Sequence, residues 1–278
     1  MSEAALSYCA REVRRNDPER FLTCLFAPAE RREALFALYA FNQEIAKTRS
    51  VVSEPLLGEI RLTWWRDAIG EIYQGQPRQH EVVQELAKAV AAYGLTRAHL
   101  DRMIEARAQD LTEEPPADMP ALLAYAEGTS STLTALCLEV LGASASEAAT
   151  PAGIAVALTG LVRAIPFHAR DHWVNIPASL LREHAVDIQA LYDLRKPDGL
   201  RRCVETIADA ARGNMAAARA MRGAVPKPAL AALLPLTLAD AHLGLLAKNG
   251  HDVYDPRLGE KSPLASWRLT WAALRGRY

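Results

Sequence analysis

Two carboxylate pairs, Asp67 with Glu71 and Glu205 with Asp209, stand four residues apart, the spacing at which a helix presents both side chains on one face. Such a pair can hold a cation. A solvated helix surface carries the same pattern, and Arg66, Arg201 and Arg202 are near enough in sequence to act as plain ion partners. His168 and His172 repeat the spacing, which on an unbroken helix suits a transition metal. Pro166 argues against that helix and no third ligand accompanies the pair, so no metal site is assigned. Loop or cavity histidines are the competing reading, with His168 hydrogen-bonding a ligand headgroup or a partner carboxylate. Arg163 and Arg170 flank His168, and Arg20, Arg31 and Arg32 form a second basic group. Arginine grips phosphate bidentately without a metal, and the same residues also serve as surface ion pairs. Ser130-Ser131 lie in no Gly-x-Ser-x-Gly elbow and are read as the cap of a helix running to Leu141.

The elements that must position these groups are helical almost throughout. Ala, Leu, Glu and Arg dominate, apolar residues return at three and four, and no alternating strand run appears. Pro28 opens a long helix on which Leu35, Leu38, Tyr39, Asn42 and Ile45 share a face, so Asn42 points to a core or a cavity. Ser53-Glu54-Pro55 starts the next, with a stripe of Ile60, Trp64, Ala68 and Ile72. Thr150-Pro151 opens a very apolar helix that Pro166 is expected to end or kink. Further helices are expected over Leu200 to Met221 and Ala229 to Lys248. At the C-terminus Leu264, Trp267, Trp271 and Leu274 form one stripe, with Arg268 and Arg275 beside it. That pattern fits peripheral membrane contact through Trp267 and Trp271, or equally a helix docked on its own core.

The chain has 278 residues, 50% hydrophobic and 23% charged, enough to bury a large core. With no Gly/Ser linker or composition break, one helical domain over 1–278 is expected. A net charge of −1 gives no general attraction to nucleic acid. Cys9, Cys24, Cys137 and Cys203 form no CxxC and are read as reduced, buried thiols. The charged start, Met1 to Asp17, lacks a signal core, and the uncharged apolar stretches near Gly153 to Val162 and Pro228 to Ala239 fall short of a bilayer span. The expected location is cytoplasmic, with any membrane contact peripheral on the inner face.

Several separated segments occur in the order of a known family. Arg20-Phe21 through Pro28, Arg32-Glu33-Ala34-Leu35-Phe36-Ala37-Leu38-Tyr39-Ala40-Phe41, Tyr125-Ala126-Glu127-Gly128-Thr129, and Gly153 through Val162 with Val174-Asn175-Ile176-Pro177 together resemble the squalene/phytoene synthase family. The resemblance implies an all-α, isoprenoid synthase-type helical bundle around a central cavity. It also implies head-to-head joining of two prenyl diphosphates, with two aspartate-rich segments holding magnesium, a cation that favours hard oxygen ligands. This chain departs from that pattern. Ala46, Lys47 and Ser50 stand at the first motif, and Ala164 and His168 at the second.

Within the family the chain is similar to a branch that assists assembly of respiratory complex I. Asn42-Gln43-Glu44, Val52-Ser53-Glu54 and Arg163-Ala164-Ile165-Pro166-Phe167-His168 carry that likeness. The implied function is non-catalytic and needs no cofactor, with a complex I subunit or assembly intermediate as partner. The implied binding region is the former active-site mouth: Tyr39, Asn42, Gln43, Arg163 and His168. Two alternatives remain: a prenyl diphosphate transferase that would use Mg, and a carrier holding a prenyl diphosphate or lipid in the cavity.

Overall fold

The computed structural model describes residues 6–143, 147–259 and 264–278, and among these there is no strand. The first helices are α1 (Tyr8–Asn16), α2 (Pro18–Cys24), α3 (Arg32–Ala46), α4 (Thr48–Val51) and α5 (Pro55–Tyr73). Then come α6 (Glu81–Tyr93), α7 (Arg97–Ala106), α8 (Met119–Ala126), α9 (Thr132–Val140), α10 (Ala149–Arg170), α11 (Ala178–Glu183) and α12 (Ile188–Tyr192). The chain closes with α13 (Leu200–Ala220), α14 (Leu230–Leu233), α15 (Pro235–Lys248), α16 (Pro256–Gly259) and α17 (Ala265–Leu274).

Residues 34–41 of α3 are apolar and buried all round, as expected of a helix segment enclosed on every side. It packs against α1, α2, α6 and α9. The other central helix, α10, packs against α9, α13 and α15. By length and composition α10 could cross a bilayer, which differs from the expectation that every apolar stretch is too short; half of that span is buried inside the bundle.

Four local expectations are corrected. Pro166 does not end the helix: α10 runs on to Arg170, with Ile165 and Ala169 buried against the core on either side of the one lost backbone bond. The segment expected as one helix over Ala229 to Lys248 is broken before Pro235, where the two parts differ in direction by 41°. On α5 the buried face is Leu62, Trp65, Ala68, Ile69 and Ile72, leaving Ile60 exposed. Ser130 and Ser131 do not cap α9. They lie in a π-helical segment, Glu127–Ser131, continuous with α8 and α9.

That segment fits because of a glycine. It lies against α10 at Gly153, where a Cβ would stand 2.3 Å from Ser131 Cα. Ser131 Oγ donates to the Thr150 carbonyl at 2.7 Å, tying the segment to the first turn of α10.

Candidate functional site

A cavity of about 1180 Å³ is walled by α2, the corner from α3 to α5, the segment following α7, the π-helical turn, α10 and α15. α3 contributes Asn42 and Ala46, and the corner adds Arg49, Ser50 and Val52. From α10 come Thr159, Gly160, Arg163, Ala164 and His168. Of the five expected binding residues, the structure thus gathers Asn42, Arg163 and His168 around one space.

It does not bring Tyr39 or Gln43 there. Tyr39 is buried, with the Arg20 guanidinium 5.3 Å from its ring centre, and borders a separate small void. Gln43 follows Asn42 by one helical step, about 100° around α3, which turns it away. Lys47 likewise leaves the cavity wall: its Nζ is 2.5 Å from Glu44 Oε1, while Arg61 reaches Glu44 Oε2 at 2.7 Å. The cation lining this wall is Arg49.

Arg163 is paired with a carboxylate from α2. Its Nη1 donates to Glu19 Oε2 at 3.3 Å, and His242 Nε2 lies 3.0 Å from Glu19 Oε1. Burial raises the Glu19 pKa, but the His242 hydrogen bond and the Arg163 charge outweigh it and hold the carboxyl below its usual value. Arg31 and Arg32, weighed as phosphate ligands, donate instead to backbone carbonyls: Arg31 to Val140, and Arg32 to Ala27 at 3.0 Å and Leu25 at 2.9 Å. Arg170 sits 5.8 Å from the centre of the Phe167 ring.

The two carboxylate pairs lie outside the cavity. Glu71 is gripped by Arg78 at 2.6 Å, with Asp67 a more distant partner at 3.9 Å. Exposed Asp209 meets Arg212 at 2.7 Å. His168 and His172 fail to share a face, because His172 has left the helix with φ of 51°. Its ring packs on Tyr192 with centroids 5.0 Å apart, while His168 packs on Trp173 at 4.3 Å. The amides of Asp171 and Trp173 both donate to the His168 carbonyl at 3.0 Å, which fixes that ring pair. Burial lowers the His168 pKa to about 4, so the imidazole is neutral at physiological pH.

Sequence reasoning missed the most tightly bonded group on the wall. Tyr125 Oη donates to Asp110 Oδ1 at 2.7 Å, and Arg107 Nη1 donates to Asp110 Oδ2 at 3.1 Å and Tyr125 Oη at 2.8 Å. Burial lowers the Arg107 pKa, but Tyr125 and Asp110 reverse that and leave it raised. Arg49 joins them, donating to the Asp110 carbonyl at 2.8 Å and stacking 5.1 Å from the Trp173 ring centre. The available signal was the spacing of Arg107 and Asp110, one helical turn apart. Among the described residues, no three His, Cys, Asp or Glu side chains gather into a metal-ligand set.

This bundle, with α3 and α10 both lining the cavity, has known counterparts. The family model of squalene/phytoene synthase matches residues 13–275. The chain belongs to the squalene/phytoene synthase family. A solved dehydrosqualene synthase superimposes with a TM-score of 0.84 at 15% identity, covering 96% of this chain and 94% of that one. This places the family member in the all-α isoprenoid synthase fold. Closer in sequence is "NADH dehydrogenase (ubiquinone) complex I, assembly factor 6" of Rattus norvegicus, 32% identical across 98% of this chain and 82% of that protein. The Homo sapiens protein of the same name is 31% identical, across 95% of this chain and 82% of its own length.

Proposed function

We propose that this squalene/phytoene synthase-family chain assists assembly of respiratory complex I, NADH:ubiquinone oxidoreductase, and does not catalyse prenyl transfer. One observation carries the reading: relatives bearing the assembly-factor name match nearly the whole chain, including both cavity walls. Those walls bear Asn42, Ala46, Arg49 and Ser50 on one side and Ala164 and His168 on the other. The hard oxygens among these groups are the Asn42 amide carbonyl and the Ser50 hydroxyl, beside two methyls, a guanidinium and a neutral imidazole, too few neutral donors for the octahedral oxygen array that magnesium needs. Six carboxylates border the cavity, Asp17, Glu19, Glu54, Asp110, Glu113 and Asp171. Glu19 is engaged by Arg163 and His242 and Asp110 by Arg107 and Tyr125, and among the described residues no three of these acidic groups gather into a metal-ligand set.

In this reading the mouth serves recognition. Asn42 supplies an amide, and His168 Nδ1 is buried without a protein partner and is available to hydrogen-bond a guest. The partner is a complex I subunit or assembly intermediate, met on the cytoplasmic side of the membrane in peripheral contact with it. Brief crosslinking in growing cells and recovery of the tagged chain is expected to yield complex I subunits; recovery of prenyl-lipid enzymes without them would contradict the role. Mixed with farnesyl diphosphate and magnesium, the purified protein is expected to release no diphosphate. Turnover there would reinstate the transferase.

A further inference from the structure

The C-terminal helix has two apolar faces. Leu269 is fully buried, and Ala265, Leu269 and Ala272 pack with Leu234 and Leu238, attaching α17 to the bundle. An ordinary surface helix would then turn polar residues outward. Instead Leu264 is 54% exposed, Trp267 76%, Trp271 58% and Leu274 77%. At 3.6 residues per turn these four fall within about 80° of one another, on the side away from the buried stripe.

The charges beside this stripe identify its occupant. Arg268, Arg275 and Arg277 are exposed along or just beyond it, and 264–278 contains no Asp or Glu. The Arg275 guanidinium lies 4.1 Å from the centre of the Trp271 ring, so the cation sits at the edge of the apolar strip. Indoles beside arginines suit the boundary between headgroups and acyl chains, where the ring is amphipathic and the cation meets lipid phosphate. A second copy of this stripe would bring three arginines against three, whereas an anionic surface complements them.

The position of α17 adds a second argument. Ala265 and Gly259 border the cavity, as do Ser50, Val52 and Pro55. Directly adjoining those last residues, Val51, Leu56 and Leu57 are exposed large apolar side chains. The cavity border therefore has apolar surface at two separate elements, an area that single exposed residues do not explain.

We infer that α17 docks the protein on an anionic bilayer, with Trp267 and Trp271 in the headgroup region and Arg268 and Arg275 on lipid phosphates. This deepens the peripheral placement proposed above and is tested without reference to complex I. Vesicles of phosphatidylcholine, with and without phosphatidylglycerol, are floated with the full chain. The expected result is coflotation with the anionic vesicles, a blue shift of tryptophan emission, and loss of binding at high salt.

The double variant Trp267→Ser/Trp271→Ser alters only exposed side chains and is expected to bind roughly tenfold more weakly or worse. Arg268→Gln/Arg275→Gln should lose the preference for anionic over neutral vesicles, and serves as the independent check should the first variant fold poorly. Three results overturn the inference: no binding by the wild-type chain, unchanged binding by both variants, or a lipid-free dimer that the tryptophan variant abolishes.

Discussion

His168 carries the clearest pH signature at the scale of a single residue. Its folded pKa of about 4 lies below the ordinary histidine value, so between those values the unfolded chain binds the extra proton. The sign follows: full stability above about pH 6.5, with a loss as pH falls towards 4 that is on the order of 2 kcal/mol after allowance for partial exposure. Denaturant unfolding of wild type and His168→Gln from pH 7 to 4.5 should show the variant with the flatter dependence. Parallel curves would remove His168 as the cause. Arg107→Met removes the partner that Asp110 and Tyr125 share and leaves a carboxylate buried; a loss of about 3 kcal/mol is expected in urea unfolding. Asn42 was legible as a cavity residue from its helix face, while Arg163 and His168 were placed there by the family resemblance. The charge state of the site was not legible, since Glu19, which offsets Arg163, lies 144 residues away along the chain.

At the scale of elements, two glycines of α10 separate packing from propensity. Gly153→Ala forces a methyl onto the backbone of Ser131, which cannot yield as a flexible side chain would, so a cost of about 2–3 kcal/mol is expected. A Cβ at Gly160 meets nothing within 4 Å, and Gly160→Ala should stabilise by about 0.5–1 kcal/mol through helix propensity. Thermal melts of the two variants should move in opposite directions, and movement of both downwards would contradict the packing described. Proline gave a readable start at Pro55, where a missing amide costs nothing, whereas Pro28 opens a 3-10 turn, Ala29–Arg31, and α3 begins only at Arg32. Pro166 and Pro235 read alike in sequence, yet only the second interrupts its helix. Neighbours packed on Ile165 and Ala169 decide the first case, and such tertiary support leaves no local mark. The same holds for the π-helical turn: Ser130-Ser131 fit an N-cap by type, while the glycine that accommodates them lies on another helix.

At the scale of the whole molecule, the order of segments along the chain revealed the family, because each segment builds one wall of the same bundle. The contents of the cavity were less legible. Glu19, Arg163 and His242 meet from three helices, and Arg49 and Trp173 meet across another long separation. The fold therefore encloses a cavity, and the proposed function rests on what its walls present. The most direct test is deletion of the gene in its own host, with complex I abundance on native gels and prenyl-hydrocarbon content measured in the same cells. Loss of assembled complex I with unchanged prenyl hydrocarbons, restored by the wild-type gene, is the predicted result. Normal complex I with a missing C30 or C40 hydrocarbon would contradict the account.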